Sequence, residues 1–257
     1  MRVKLEKNVV AELFKVKGKA PSIKTQKDVE TFLKQFGEGA EVKAGEKEKT
    51  LVASLKEKYG FTLEDVDTNE TFRMPGAPFT TSTLQQEASR KLGYGVKKTM
   101  TIAQMLYQNG HISYMRTDSV NLSAEAITAC QSYINSSYGS EYALKEGRKY
   151  NTKTANAQEA HEAIRPTHIE NDPSSIKLDG DDLKLYKLIW ERTVASQMQA
   201  AKVQTTTYTF VPKDLDQKWQ TKGQVILFDG FLKLYEEGTD EEEEEKEGEV
   251  TLPAITK

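Results

Sequence analysis

A phenol and a guanidinium two residues apart, Tyr114 and Arg116, are the side chains of this 257-residue sequence best placed for chemistry on a phosphate. The tyrosine oxygen can attack phosphorus, and the planar fork of the arginine can hold the non-bridging oxygens. Read as a short extended segment, HISYMR at 111–116 places Ile112, Tyr114 and Arg116 on one face and Ser113 and Met115 on the other. Tyrosine and arginine are also common neighbours on exposed strands, where the ring packs and the guanidinium stays wet, so the pair alone leaves both readings open.

A second constellation lies in AQEAHEAIRPTH at 157–168. If this stretch is helical up to Pro166, His161 and Arg165 stand side by side at i, i+4 and could contact a phosphate together. A histidine with a purely structural hydrogen bond is the competing reading. Zinc is not expected, because His161 and His168 are seven apart across a proline rather than four apart on one helix. The pairs Asp65/Asp67, Asp179/Asp181 and Asp214/Asp216 sit in turn-like polar sequence and read as solvated carboxylates. No phosphate-binding loop of the GxxxxGK[ST] type is present, so ATP use has no support, and nothing resembles a Ser-His-Asp arrangement.

These residues need elements to hold them. Asn109-Gly110 stops a helix, Thr117-Asp118-Ser119 is a turn cluster, and Ser123 caps the helix that follows, over 123–134. Upstream, Thr81 or Ser82 caps a helix with Gln85 placed for a capping box, and Gly93 ends it. A second helix starts near Thr99 or Thr101, with Ile102, Met105 and Leu106 inward. Helix, glycine turn, helix and then the Tyr114 strand is a winged-helix-like layout. Residues 138–155 read as an exposed basic loop, and 181–200 as a strong amphipathic helix.

On either side the pattern changes. Residues 1–73 suggest strands with one short helix at 26–36, and RMPGAPF at 73–79 is a hinge, since two prolines interrupt both helix and sheet. From Lys202 the period becomes two, with strands at 203–211 and near 224–228. The expected fold is therefore α+β: a helical domain, 74–200, inserted into a β-rich domain made of 1–73 and 201–257.

Composition sets the remaining bounds. Charged residues are 29% and apolar residues 37%, and no apolar run approaches a membrane span, so no membrane partner is expected. The net charge is −3, but residues 88–153 are net positive and 201–257 net negative, which puts the positive part of the chain around Tyr114. The single cysteine, Cys130, fits a reducing compartment and reads as a buried thiol.

Three motifs together, FTTSTLQQEASRKLGY at 79–94, YMRTDS at 114–119 and HEAIRPT at 161–167, resemble the type IA DNA topoisomerases. Met115 before Arg116 and Glu162 after His161 resemble the bacterial topoisomerase I branch. The resemblance implies that Tyr114 is the nucleophile that joins a 5′-phosphate of single-stranded DNA and that Arg116 stabilises the pentavalent phosphate. It implies that His161 binds DNA beside the cleavage site with Arg165 in support. It also implies that the β-rich parts are the arch that swings the helical domain as a gate. Members of the family carry a Toprim domain that binds Mg²⁺ and a further domain that grips DNA. Neither is expected within this chain, so it reads as a central piece that binds no cofactor, partners those domains in the bacterial cytoplasm, and is inactive alone. A winged-helix-like binding module, in which Tyr114 merely packs, is the alternative.

Overall fold

The computed structural model describes residues 2–4, 10–23, 25–36, 41–44, 51–54, 60–150 and 161–238. Along the chain its elements are β1 (Arg2–Lys4), β2 (Val10–Val16), α1 (Gln26–Leu33), β3 (Glu41–Ala44), β4 (Leu51–Ser54) and β5 (Phe61–Arg73). There follow α2 (Thr81–Leu92), α3 (Val96–Gln108), α4 (Ala124–Ser137), α5 (Gly180–Ser196), β6 (Ala201–Pro212) and β7 (Gln217–Phe228). The mixed α and β architecture matches expectation. The chain forms two compact units, one of Met1–Glu70, Gln204–Val225 and Glu247–Lys257, the other of Thr71–Val203 and Ile226–Lys246.

The first unit is the β-rich one. Its main sheet has the strand order β1-β2-β7-β6-β5, and β3 pairs with β4 in a separate antiparallel ribbon. Strand β2 alternates: Ala11 and Leu13 are buried while Val10, Glu12 and Phe14 face outward, the period-2 signature of a sheet with one covered face. Leu13 lies opposite Trp219 of β7, and the indole is met by Phe32 of α1 at 6.2 Å and edge-on by Phe61 at 6.1 Å. Helix α1 starts at a reciprocal capping box between Thr25 and Asp28.

The second unit is built around α5. Leu185, Tyr186, Leu188, Ile189, Trp190 and Val194 are all buried, so the helix is covered on most of its circumference, and α2, α3 and α4 all pack on it. Cys130 of α4 is fully buried, and burial pushes its thiol up to about 12 against a small opposing pull from Arg165. Among the described residues no helix is long and apolar enough to cross a membrane.

Several local expectations change. Helix α2 is capped by Thr80, not Thr81 or Ser82, with Thr83 rather than Gln85 closing the box. Helix α3 begins at Val96, directly after Gly95, and Met105 points outward at 44% exposure. In the stretch read as a β return, 201–257, Phe228, Phe231 and Tyr235 pack into the helical core, where the Tyr235 hydroxyl donates to Glu87 at 2.7 Å. Residues 239–257 of that stretch lie outside the described residues.

The RMPGAPF segment, read as a hinge, is a docked strap. Pro75, Pro78 and Phe79 are buried. The Tyr150 hydroxyl lies 3.1 Å from the Pro75 carbonyl and 2.9 Å from that of Ser196, and Arg192 Nε donates to the Ala77 carbonyl at 2.6 Å. A Cβ at Gly76 would run into the ends of the Arg192 and Glu237 side chains, so a larger residue there would have to displace both. Residues 138–150 are likewise not a free loop. Tyr142 is buried and donates to Asp229, and Arg148 Nη2 donates to the Met198 carbonyl. The part of that reading beyond residue 150 lies outside the described residues.

Candidate active site

Tyr114 sits on an irregular segment, not on a strand. Between α3 and α4 the only bridge is that of Ile112 with Pro166, and Ile112 and Met115, three apart, are 1% and 2% exposed. Ile112 therefore does not share a face with Tyr114 and Arg116, as strict alternation would require. The cause is the hydrogen bonding on both flanks, where serine and threonine hydroxyls replace a strand ladder.

On one flank the segment is tied to residues 161–167. Ser113 N donates to the Arg165 carbonyl at 2.8 Å, Arg165 N donates to Ser113 Oγ at 3.0 Å, and Ser113 Oγ donates to the Ala163 carbonyl at 2.8 Å. Thr167 N donates to the His111 carbonyl, and its hydroxyl to that of Gly110 at 2.6 Å. On the other flank stands Thr81, in the first turn of α2. Its hydroxyl donates to the Met115 carbonyl at 2.8 Å and accepts from Thr117 N at 2.9 Å, while its own N–H donates to the Thr117 carbonyl. Ile164 N closes the circuit by donating to the Phe79 carbonyl. The three motifs singled out in the sequence thus meet, and their meeting fixes the backbone on both sides of Tyr114.

What this scaffold presents is unsatisfied. Tyr114 is 51% exposed, and Arg116 and His161 are exposed as well. Among the described residues none of the three side chains makes a hydrogen bond or an ion pair. Tyr114 touches one ring, that of Tyr107, edge-to-face at 5.2 Å. His161 lies two residues before Ala163, whose carbonyl holds Ser113, so the segments carrying Tyr114 and His161 are joined directly.

Arg165 is placed differently. Residues 161–167 are extended and bridged, not helical, so His161 and Arg165 are not stacked at i, i+4. The Arg165 guanidinium donates to Glu162 Oε2 through Nε at 3.1 Å and Nη2 at 2.8 Å, and through Nη1 to the Pro166 carbonyl. Glu162 Oε1 in turn accepts from Ser123 N at 2.6 Å, at the start of α4. Burial pushes the Glu162 carboxyl up, but the Arg165 fork and the Ser123 amide outweigh it and hold the group below the usual carboxylate range. Arg165 is thus engaged by the scaffold through three of its five N–H groups.

The residues that sequence reasoning missed are Thr81, Ser113 and Glu162. Their types gave a hint, since small hydroxyls and carboxylates bond backbone, but their partners lie up to 52 residues away and left no local trace.

The helical unit thus presents an exposed, braced tyrosine with an exposed arginine two residues on. A family model described as DNA topoisomerase matches residues 3–257. This chain belongs to that family, in its type IA bacterial topoisomerase I branch. It is 46% identical to DNA topoisomerase 1 of Zymomonas mobilis over 198 residues, which is 76% of this chain and 16% of that protein. It is also 46% identical to DNA topoisomerase 1 of Streptomyces coelicolor over 194 residues, 74% of this chain and 20% of that one. Full-length topoisomerase I from Thermotoga maritima has a similar structure, with a TM-score of 0.64 and 31% identity over 91% of this chain and 35% of that chain. The chain thus spans about a fifth or less of these two curated relatives.

Among the described residues no cluster of three or more His, Cys, Asp or Glu could hold a metal ion, and Glu162 is already engaged by Arg165 and Ser123. The described residues do not fit the Mg²⁺ that the family resemblance implies.

Proposed function

We propose that this chain is the tyrosine-bearing part of an ATP-independent type IA DNA topoisomerase that relaxes negative supercoils. Tyr114 Oη attacks a phosphodiester of single-stranded DNA. The bond from phosphorus to the 3′ oxygen breaks, the phenolic proton leaves, the 3′ oxygen takes up a proton, and a 5′-phosphotyrosyl link remains. The reverse attack by the 3′-hydroxyl reseals the strand. One phosphodiester replaces another, so no nucleotide is consumed. Arg116 holds the non-bridging oxygens as charge builds on them, and a guanidinium with no hydrogen bond or ion pair among the described residues is free to do so. His161 contacts the DNA strand beside the scissile phosphate. Arg165, proposed from the sequence as a DNA contact, acts instead by fixing Glu162 and the segment that carries His161.

The observation that carries this reading is the contrast within one loop. Its backbone is braced by Thr81, Ser113 and residues 163–167, while Tyr114 and Arg116 are left exposed and unpaired. A packing tyrosine in a winged-helix-like module would not need such bracing, and the strand that this layout requires after α3 does not form. We further propose that the metal-binding and DNA-gripping parts lie elsewhere in a bacterial cytoplasmic, nucleoid-associated enzyme, and that this chain alone does not relax DNA.

The test is a covalent-adduct assay with labelled single-stranded oligonucleotide and Mg²⁺, quenched in detergent. With the metal-binding part joined to this chain or added in trans, an adduct is expected that disappears in Tyr114→Phe while oligonucleotide binding is unchanged. An adduct surviving Tyr114→Phe would remove the nucleophile from this account.

A further inference from the structure

Among the described residues one aromatic ring lies against Tyr114, that of Tyr107, and it has no part in the attack on phosphorus. Of the described tyrosines only these two are exposed, Tyr107 at 40% and Tyr114 at 51%, and they touch each other. Most of the others are tied down by their hydroxyls: Tyr94 donates to Asp181, Tyr142 to Asp229, Tyr186 to the Asn171 carbonyl and Tyr235 to Glu87. The hydroxyls of Tyr107 and Tyr114 have no such partner among the described residues.

Tyr107 is also rigidly mounted. It lies in the last turn of α3, between Leu106, which is 1% exposed, and the Asn109-Gly110 stop, and its carbonyl accepts from Gly110 N at 2.9 Å. The edge-to-face contact at 5.2 Å uses the ring only in part and leaves a flat apolar surface in water. Arg116, two residues after Tyr114 in the same braced segment, is exposed and has no hydrogen bond or ion pair among the described residues. A flat ring against Tyr114 and a cation on the Tyr114 segment offer what the two repeating parts of a single strand, a base and a phosphate, would need.

We propose that Tyr107 is a base-stacking residue, on which a nucleobase next to the scissile phosphate of single-stranded DNA rests. The proposal rests on the reading of Tyr114 as the nucleophile and adds the subsite that sets the strand's position against it. Stacking is indifferent to base identity, so the subsite contributes position and affinity without sequence readout.

The test uses this chain and a single-stranded oligonucleotide containing 2-aminopurine, whose fluorescence falls when the base stacks. Tyr107→Phe is expected to bind within about twofold of the unaltered chain, because the ring is kept. Tyr107→Ala is expected to bind roughly five- to tenfold more weakly and to lose the quenching. The slope of affinity against salt should stay the same, since no phosphate contact is removed. Circular dichroism of each variant checks that α3 is intact. Equal binding by Tyr107→Ala and Tyr107→Phe, or no binding of the unaltered chain at low salt, would overturn the subsite. Neither result bears on the nucleophile, which stands or falls on the Tyr114→Phe adduct, so the two failures can be told apart.

Discussion

Helix α5 and the Tyr114 segment are held by opposite means. Around α5 the side chains are apolar and buried, and the backbone satisfies itself through helical hydrogen bonds. Around Tyr114 the backbone is irregular, and Thr81, Ser113 and Thr167 take the place of a partner strand. The first arrangement makes a stable body. The second fixes a short stretch of chain while leaving the Tyr114 hydroxyl and the Arg116 guanidinium without a hydrogen bond or ion pair among the described residues.

The difference predicts different ways of failing. The largest effect belongs to α5. Trp190 is 2% exposed, donates from its indole to the Ile169 carbonyl at 2.9 Å, and is met edge-on by Tyr133 at 5.1 Å. Replacing it, Trp190→Ala, should cost the helical unit about 3–5 kcal/mol. Urea denaturation read by far-ultraviolet circular dichroism would show it. A shift of less than about 1 kcal/mol would mean that α5 is not the centre of this unit.

That contrast also decides what could be read from the sequence. Helix α5, the strand β6 and the stop at Asn109-Gly110 were legible because each is written in consecutive residues, as a 3.6 period, a 2 period or a left-handed turn. The motifs around Tyr114, Arg116 and His161 were legible by their resemblance to a family. Their physical support was not. A threonine that looks like a helix cap from its neighbours, Thr81, braces carbonyls 34 and 36 residues away. A Pro-Gly-Pro run that looks like a hinge is pinned by Arg192 and Tyr150 from elsewhere in the chain. Arg165, expected as a phosphate contact, is also held in an ion pair with Glu162. For the threonine and the proline run the deciding contact is long-range, and periodicity carries no trace of it; for Arg165 it lies only three residues away.

A middle-sized effect would sharpen the comparison. Thr81→Val keeps the shape of the side chain and removes the hydroxyl that links the Met115 carbonyl to the Thr117 amide. It should cost about 1–2 kcal/mol. Its distinguishing sign is local: hydrogen exchange at Thr117 should quicken while the amides of α5 keep their protection. Uniform loss of protection across the unit would mean that the loop and the core open together, and the distinction drawn here would fail.

The smallest effect is a pH dependence, and it concerns the link between Glu162, Arg165 and Ser123. The Glu162 carboxyl has its pKa lowered in the folded chain, despite the opposing effect of burial, by Arg165 and the Ser123 amide. A group whose folded pKa is depressed binds its proton more weakly folded than unfolded, so its contribution is present in full above the unfolded pKa and fades as the pH falls through the folded one. Glu162→Gln keeps an oxygen for Ser123 N but removes the charge opposite Arg165. At neutral pH it should therefore lower stability by about 1 kcal/mol, the scale of a partly exposed ion pair. The gap should hold from neutral down to about pH 5 and narrow below that, as the unaltered carboxyl becomes protonated and resembles the amide. Urea titrations of both chains across that range supply the measurement. A gap that is constant with pH would show that Glu162 acts through its shape and its bond to Ser123 alone, and that the charge on Arg165 plays no part in holding the segment that carries His161.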